Sequence, residues 1–298
     1  MIGRKQGPAP RPASYRHVRT LAILTAGASL LIFMTACPNS ANQGRRSPSL
    51  PLELVGSAQL PGPATGMSAD RDGLLLVDNS GTEIYRLDFN LKPQPSIALG
   101  SRMSGIRGLA ADAFFVYLYD DKHVYRFDRA SGEIAQVTSG IDCQSAVVMA
   151  GGELALIDGA GDRILLLDPS QNVTTLNTDY PGLQPAALAV GNDGNFQVLN
   201  RTRREVVVLS RIGEMVRSFA VPGTGVRIAV DDSLRLYVLE RTGTRIWQIS
   251  PNGRTVQVDA TQLSVNFVGS EIVLFKNWLF VLDHDSRVLK FRIPQIPG

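Results

Sequence analysis

Residues 74–81 read LLLVDNSG: an apolar run, a short acid, then a turn. The same pattern returns five times, as VYLYDDKH from Val116, LALIDGAG from Leu154, FQVLNRTR from Phe196, LYVLERTG from Leu236 and LFVLDHDS from Leu279. The residue that closes each run is Asp78, Asp120, Asp158, Asn200, Glu240 or Asp283, at spacings of 42, 38, 42, 40 and 43 residues. A period near 41 in which every copy holds several short β-patterned runs is the mark of propeller blades, not of a helical array.

Working outward from these markers, each unit shows further frames. An inner strand of small, alternating residues precedes the marked one: GMSAD at 66–70, GLAAD at 108–112, SAVVM at 145–149, ALAVG at 187–191 and RIAVD at 227–231. A third strand follows the turn, as in EIYRLDF, HVYRFD, RILLLD, EVVVLS, RIWQIS and RVLKFRI. Polar turns such as DRASGE, DPSQN and SPNGR then lead into fourth strands such as SIALG, EIAQVT and MVRSFAV. Runs this short joined by Gly, Asp, Asn and Ser turns form an antiparallel meander. The sixth unit is incomplete, because only PQIPG follows RVLKFRI and two prolines in five residues cannot supply a ladder strand. Residues 52–60, LELVGSAQL, have no blade of their own. The expectation is therefore an all-β, six-bladed propeller of four-stranded antiparallel blades over residues 52–298, with the N-terminal strand completing the last blade and leaving no open edge.

The unit is similar to the NHL-repeat and related six-bladed propellers. The resemblance rests on Gly108-Leu109-Ala110-Ala111-Asp112, Asp72-Gly73, Leu76-Val77-Asp78, Asp162-Arg163-Ile164, Arg287-Val288 and Phe127-Asp128. It implies the fold and carries almost nothing about activity, which in propellers lives in loops.

Few residues are available for catalysis. Some relatives of this fold use several histidines around a metal, but beyond the leader this chain has only His123 and His284, too few for a three-histidine site. Gluconolactonase-like propellers hold a divalent cation with Glu, Asn and Asp at channel-facing positions. Here the residues leading into the inner strands read Thr65, Arg107, Gln144, Pro185, Arg227 and Asn266, without a carboxylate. No nucleophile elbow or phosphate-cradling loop occurs. The six marker residues are expected to fix turns by accepting backbone hydrogen bonds, not to bind metal. No cofactor and no metal are expected, and the chain reads as a binding or scaffolding module more than as an enzyme. A gluconolactonase-like hydrolase or lactonase is the alternative.

Charge placement offers one positive clue. The turns after the second strands and the loops into the inner strands share one face, and in blades four and five that face carries Arg201, Arg203, Arg204, Arg241 and Arg245. Arg107 and Arg227 are expected near the channel mouth. Guanidinium groups clustered this way suit carboxylate or phosphate, so an acidic protein or an anionic envelope polymer is the expected partner of a monomeric propeller.

The N-terminus sets the compartment. Residues 1–20 carry Arg4, Lys5, Arg11, Arg16 and Arg19 and no acid, and residues 21–34 (LAILTAGASLLIFM) are apolar and uncharged. That is a secretory signal, shorter than the roughly 20 residues of a membrane span. It runs into Met34-Thr35-Ala36-Cys37, which resembles the bacterial lipobox. Residues 1–36 are read as a lipoprotein signal, Cys37 as the lipidated residue, and 37–51 (CPNSANQGRRSPSLP) as a flexible tether. The expected location is extracytoplasmic, anchored to the cell membrane or outer membrane. Loss of the leader removes five positive charges, leaving 25 basic against 27 acidic residues. The basic balance thus belongs to the leader and gives no argument for nucleic acid. Cys143 is the one other cysteine and reads as a small buried apolar residue. Replacing Cys37 by Ser should move the protein from the membrane fraction to the soluble one, or stall it as precursor. Equal labelling of both forms by a palmitate analogue would refute lipidation.

Overall fold

The computed structural model describes residues 49–100, 103, 105–259 and 267–293. The signal, Cys37, most of the tether and Asn266 lie outside the described residues. All regular structure described is β.

Two strands precede the ring, β1 (Ser49–Pro51) and β2 (Glu53–Gln59). Blade one is β3 (Ala64–Ala69), β4 (Leu74–Asp78), β5 (Glu83–Leu87) and β6 (Pro93–Ala98). Blade two is β7 (Gly108–Ala111), β8 (Phe115–Tyr119), β9 (His123–Asp128) and β10 (Ile134–Ser139). Blade three is β11 (Cys143–Val148), β12 (Leu154–Asp158), β13 (Arg163–Leu167) and β14 (Val173–Thr175). Blade four is β15 (Pro185–Val190), β16 (Phe196–Asn200), β17 (Glu205–Leu209) and β18 (Met215–Ala220). Blade five is β19 (Gly225–Val230), β20 (Leu236–Glu240), β21 (Ile246–Ile249) and β22 (Thr255–Asp259). Blade six is β23 (Gly269–Phe275), β24 (Trp278–Asp283) and β25 (Arg287–Arg292), completed by β2.

β2 runs antiparallel to β25, from Glu53 opposite Arg292 to Gln59 opposite Arg287. The Leu60 amide then donates to the Ser286 carbonyl at 2.8 Å. The ring is closed by the strand the sequence reading assigned to it. β1 adds something that reading did not contain. Ser49–Pro51, taken as the end of the tether, pairs in parallel with Gln257, Val258 and Asp259 of β22, making blade five five-stranded. Backbone pairing at an edge needs no apolar side chains, so the composition of the segment gave no warning of it. Leu52, between the two strands, is buried in the seam of blades five and six. One short stretch of chain thus ties two neighbouring blades together.

The second strands LLLVD, LALID and FQVLN are buried at every position. Each is sandwiched by its own sheet neighbours and by the faces of two adjacent blades, so both faces must be apolar, as in any sheet covered on both sides. Leu75, Val77 and Ile84 of blade one pack on Leu109, Val116 and Leu118 of blade two. The same pattern closes the circle where Leu74, Leu76 and Met67 meet Phe280, Leu282 and Val288 of blade six.

The inner strands share one irregularity. In five blades two residues oppose the single marker of the second strand, with register shifts at 64/66, 143/145, 185/187, 225/227 and 269/271. Such a β-bulge re-aims the next side chain. In blade two the inner strand begins at this level, with Gly108 opposite Tyr119 and no register shift along its pairing with β8.

Removing residues 1–60 should expose the edges of β22 and β25 and lower stability by several kcal/mol, much of a typical domain's ~5–15 kcal/mol. Removing 1–48 should leave the melting temperature within a degree or two. Equal melting of both truncations would contradict the clasp.

Candidate functional site at the channel mouth

By register, the level just inside the bulges is formed by Gly66, Gly108, Ser145, Ala187, Arg227 and Glu271. This corrects the expected channel-facing set. Thr65 and Gln144 are the extra bulge residues, and blade six presents Glu271 where the sequence reading placed Asn266. The expectation of a channel without a carboxylate therefore does not hold. The signal was present: SEIVL at 270–274 aligns with TGMSA at 65–69 once the markers Asp283 and Asp78 are superposed, which sets Glu271 on Gly66.

Glu271 does not stand alone. Its Oε2 lies 2.7 Å from Arg227 Nε, Arg227 Nη1 also donates to the Val226 carbonyl at 3.0 Å, and the Ile272 amide donates to Glu271 Oε1 at 3.2 Å. Burial pushes the Glu271 carboxyl up and Arg227 pulls against it, while Glu271 raises the Arg227 guanidinium, which keeps its charge. Beside the pair sits the buried phenol of Tyr119, raised mainly by burial. Its ring occupies the space where a Cβ on Gly108 would stand, 2.3 Å from the hydroxyl. Gly66 and Gly108 bring two inner strands close, with 2.6 Å between a Cβ built on Gly66 and the Gly108 Cα. From this level inward the channel is a cavity of about 210 Å³ lined by Tyr119, Ser145, Arg227 and Glu271 and by Ala, Val, Leu and Ile residues of the inner strands.

The chemistry available here is limited. The Cys143 thiol is buried and pushed up by that burial, so it is not a thiolate at neutral pH. Ser145 Oγ accepts the Leu188 amide at 3.2 Å, and the one carboxylate at this level is held by arginine. Among the described residues no group of three His, Cys, Asp or Glu side chains is placed to hold a metal ion.

The markers surround this mouth. Asp78 accepts the amides of Thr82 and Glu83 at 2.7 and 2.8 Å and the hydroxyl of Ser80. Burial opposes its ionisation, but these bonds hold its carboxyl below the usual value. Asp120 accepts the Lys122 and His123 amides, both at 2.6 Å, and lies 3.2 Å from His123 Nδ1. Asp158, Asn200 and Asp283 instead accept amides from the loops leading into the inner strands, those of Asp142, Gln184 and Val268. Asp158 and Asp283 also hold Arg163 and Arg287. Glu240 lies 3.8 Å from Arg245.

The seven arginines separate into two groups. Arg107 pairs with Asp142 at 2.7 Å and stands 3.9 Å from Asp121. Arg227 pairs with Glu271, and Arg245 faces Glu240. Arg203 donates to the Tyr180 hydroxyl at 3.0 Å and the Pro181 carbonyl at 3.2 Å, with its guanidinium over the Tyr180 ring. The expectation that all seven are available to an anion is corrected accordingly. Among the described residues Arg201, Arg204 and Arg241 have no carboxylate within salt-bridge distance, and all three are exposed. Arg201 and Arg241 occupy equivalent places, their amides donating to the Gln184 and Thr224 carbonyls at 2.8 and 2.7 Å. His284, likewise just after a marker, donates its amide to the Val268 carbonyl.

No protein-family model matches the chain, and no curated protein sequence matches it. Solved structures do. A virginiamycin B lyase from Staphylococcus aureus superposes with a TM-score of 0.61 at 12% identity, over 82% of this chain and 100% of that one. A putative gluconolactonase gives 0.60 at 14% identity, over 81% and 93%. YCF48 bound to D1 peptide gives 0.59 at 13% identity, over 84% and 100%. These are likenesses of fold.

The channel pair yields a stability test. Arg227→Met leaves the Glu271 carboxylate buried and unpaired, which should cost about 3 kcal/mol or more. Arg227→Met combined with Glu271→Leu should recover much of that loss. A double variant no more stable than the single one in urea titrations would show that the two side chains do not interact.

Proposed function

We propose that this propeller is an extracytoplasmic, lipid-anchored module that binds an acidic partner through the turns of blades four and five, without catalysing a reaction. The observation that carries the reading is the unpaired state of Arg201, Arg204 and Arg241 on neighbouring turns of one face. Elsewhere on that face arginines meet carboxylates, as Arg107, Arg163 and Arg287 do.

Arg204 is the most telling of the three. It adopts φ of +50°, and the left-handed position of the corresponding turn is filled by Gly81, Asp162, Gly243 or Ser286 in other blades. A long side chain there costs about 1 kcal/mol relative to glycine, and turn chemistry offers no reason to place an arginine. Recognition does, because guanidinium groups pair with carboxylate and phosphate in fixed geometry. The signal and lipobox-like residues support placement in the envelope. The occupied states of Glu271, Ser145 and Cys143 support binding over catalysis. The lactonase alternative requires Glu271 to leave Arg227 and join further oxygen ligands.

Exposed charges confer modest affinity that salt screens over about 8 Å at physiological ionic strength. Capture of partners from an envelope extract should fall steeply between low and high salt. It should be largely lost in the triple variant Arg201→Glu, Arg204→Glu, Arg241→Glu, whose melting should match the wild type. An unchanged set of captured proteins and polymers would overturn the reading.

A further inference from the structure

On the face opposite the marker turns, between blades two and three, lies a cavity of about 500 Å³, larger than the channel and within the ~300–1,000 Å³ typical of small-molecule sites. Its floor is Tyr117 and Met149, both buried. One wall is Phe115 with the Arg126 guanidinium 4.7 Å from its ring centroid, and the Phe115 and Tyr117 rings stand 6.3 Å apart at a 58° tilt. The other wall is Pro169 and the backbone at Gly151 and Gly152, where a Cβ on Gly151 would touch nothing within 4 Å.

The rim is Phe114, 71% exposed. Its backbone is fixed: Asp112 Oδ1 accepts the Phe114 and Phe115 amides at 2.7 Å, and the Phe114 carbonyl accepts the Arg129 amide at 3.0 Å. The turn does not require an aromatic residue. Asp72 and Ser233 take the same place in blades one and five, donating their amides to Asp70 and Asp231. A rigidly presented, solvent-facing phenylalanine at the edge of an aromatic cavity is better explained by a ligand than by folding.

Arg126 gives the cavity its polarity. Among the described residues it has no carboxylate within salt-bridge distance; it hydrogen-bonds the Tyr117 hydroxyl on the cavity floor, and stacking on Phe115 leaves the remaining N–H groups of its five-donor fork available. Of the acids around it, Asp128 feels the Arg126 charge, and Asp112, which lines the cavity, has Oδ1 committed to two amides. We infer that this cavity binds a small planar aromatic acid, its ring held among Phe114, Phe115 and Met149 and its carboxylate on Arg126. The site is independent of the arginine turns on the other face.

The test uses the purified full chain and three probes of one shape: 2-naphthoate, neutral 2-naphthylmethanol and cationic 2-naphthylmethylammonium, followed by ligand-observed NMR titration. The acid should bind saturably and more tightly than the neutral analogue. Arg126→Met should weaken the acid about tenfold or more, the scale of a lost charged hydrogen bond, and leave the neutral probe nearly unchanged. Phe114→Ser should weaken both, and Arg241→Glu neither. Circular dichroism melts serve as the fold control, and Phe114→Ser, at an exposed side chain, should melt as the wild type. Absence of saturable binding, equal affinity for acid and neutral probe, or tighter binding of the cation would each overturn the inference.

Discussion

The structure depends most on how six inner strands are brought to one axis. Strands that converge have no room for large side chains at their closest approach, and the bulge opposite each marker is how the chain relieves the crowding while choosing which residue points inward. With two residues set against one, Gly66, Ser145, Ala187, Arg227 and Glu271 arrive at a common level. In blade two the second strand contributes as well: Tyr119 fills the volume that Gly108 vacates. The channel mouth is therefore defined by backbone register before any side-chain chemistry begins.

That register explains why the polar groups at the mouth are mutually satisfied. Arg227 and Glu271 occupy equivalent positions of adjacent blades, close enough for a direct bond, and each would be costly to bury without the other. Around them five of the six markers accept turn or loop amides; among the described residues Glu240 departs from that expectation, its side chain facing Arg245 at 3.8 Å and accepting no amide. Bonds from Asp158, Asn200 and Asp283 to the loops leading into the inner strands pin those loops to the second strands. A face held this way is a stable platform, and what varies on it is the side chain each turn carries outward.

Much of the architecture was legible from residues 74–81 and their copies, because a marker before a tight turn recurs once per blade whatever the blade does. Closure by 52–60 was legible too, from a strand-like segment without a blade and a last blade without a strand. Three features were not. The pairing of Ser49–Pro51 with β22 is backbone work that leaves no side-chain pattern. Glu271 was missed because small-residue patterns such as GLAAD do not describe SEIVL, although its spacing to Asp283 equals that of Gly66 to Asp78. The quenching of Arg107, Arg227 and Arg245 depended on acids at 142, 271 and 240. Of these only Glu240 is near its arginine in sequence, while Asp142 and Glu271 lie 35 and 44 residues from theirs.

The same geometry separates the two faces of the ring. Turns after second strands and turns after first strands lie at opposite ends of the second strands, five or six residues long, with a buried apolar layer between neighbouring blades. Substitution at one face meets paired sheet before it reaches the other. A scaffold of this kind can keep charged turns on one side and an aromatic cavity on the other. The side chains on the two faces can vary separately, because fold stability resides in the seams and in the clasp formed by β1 and β2.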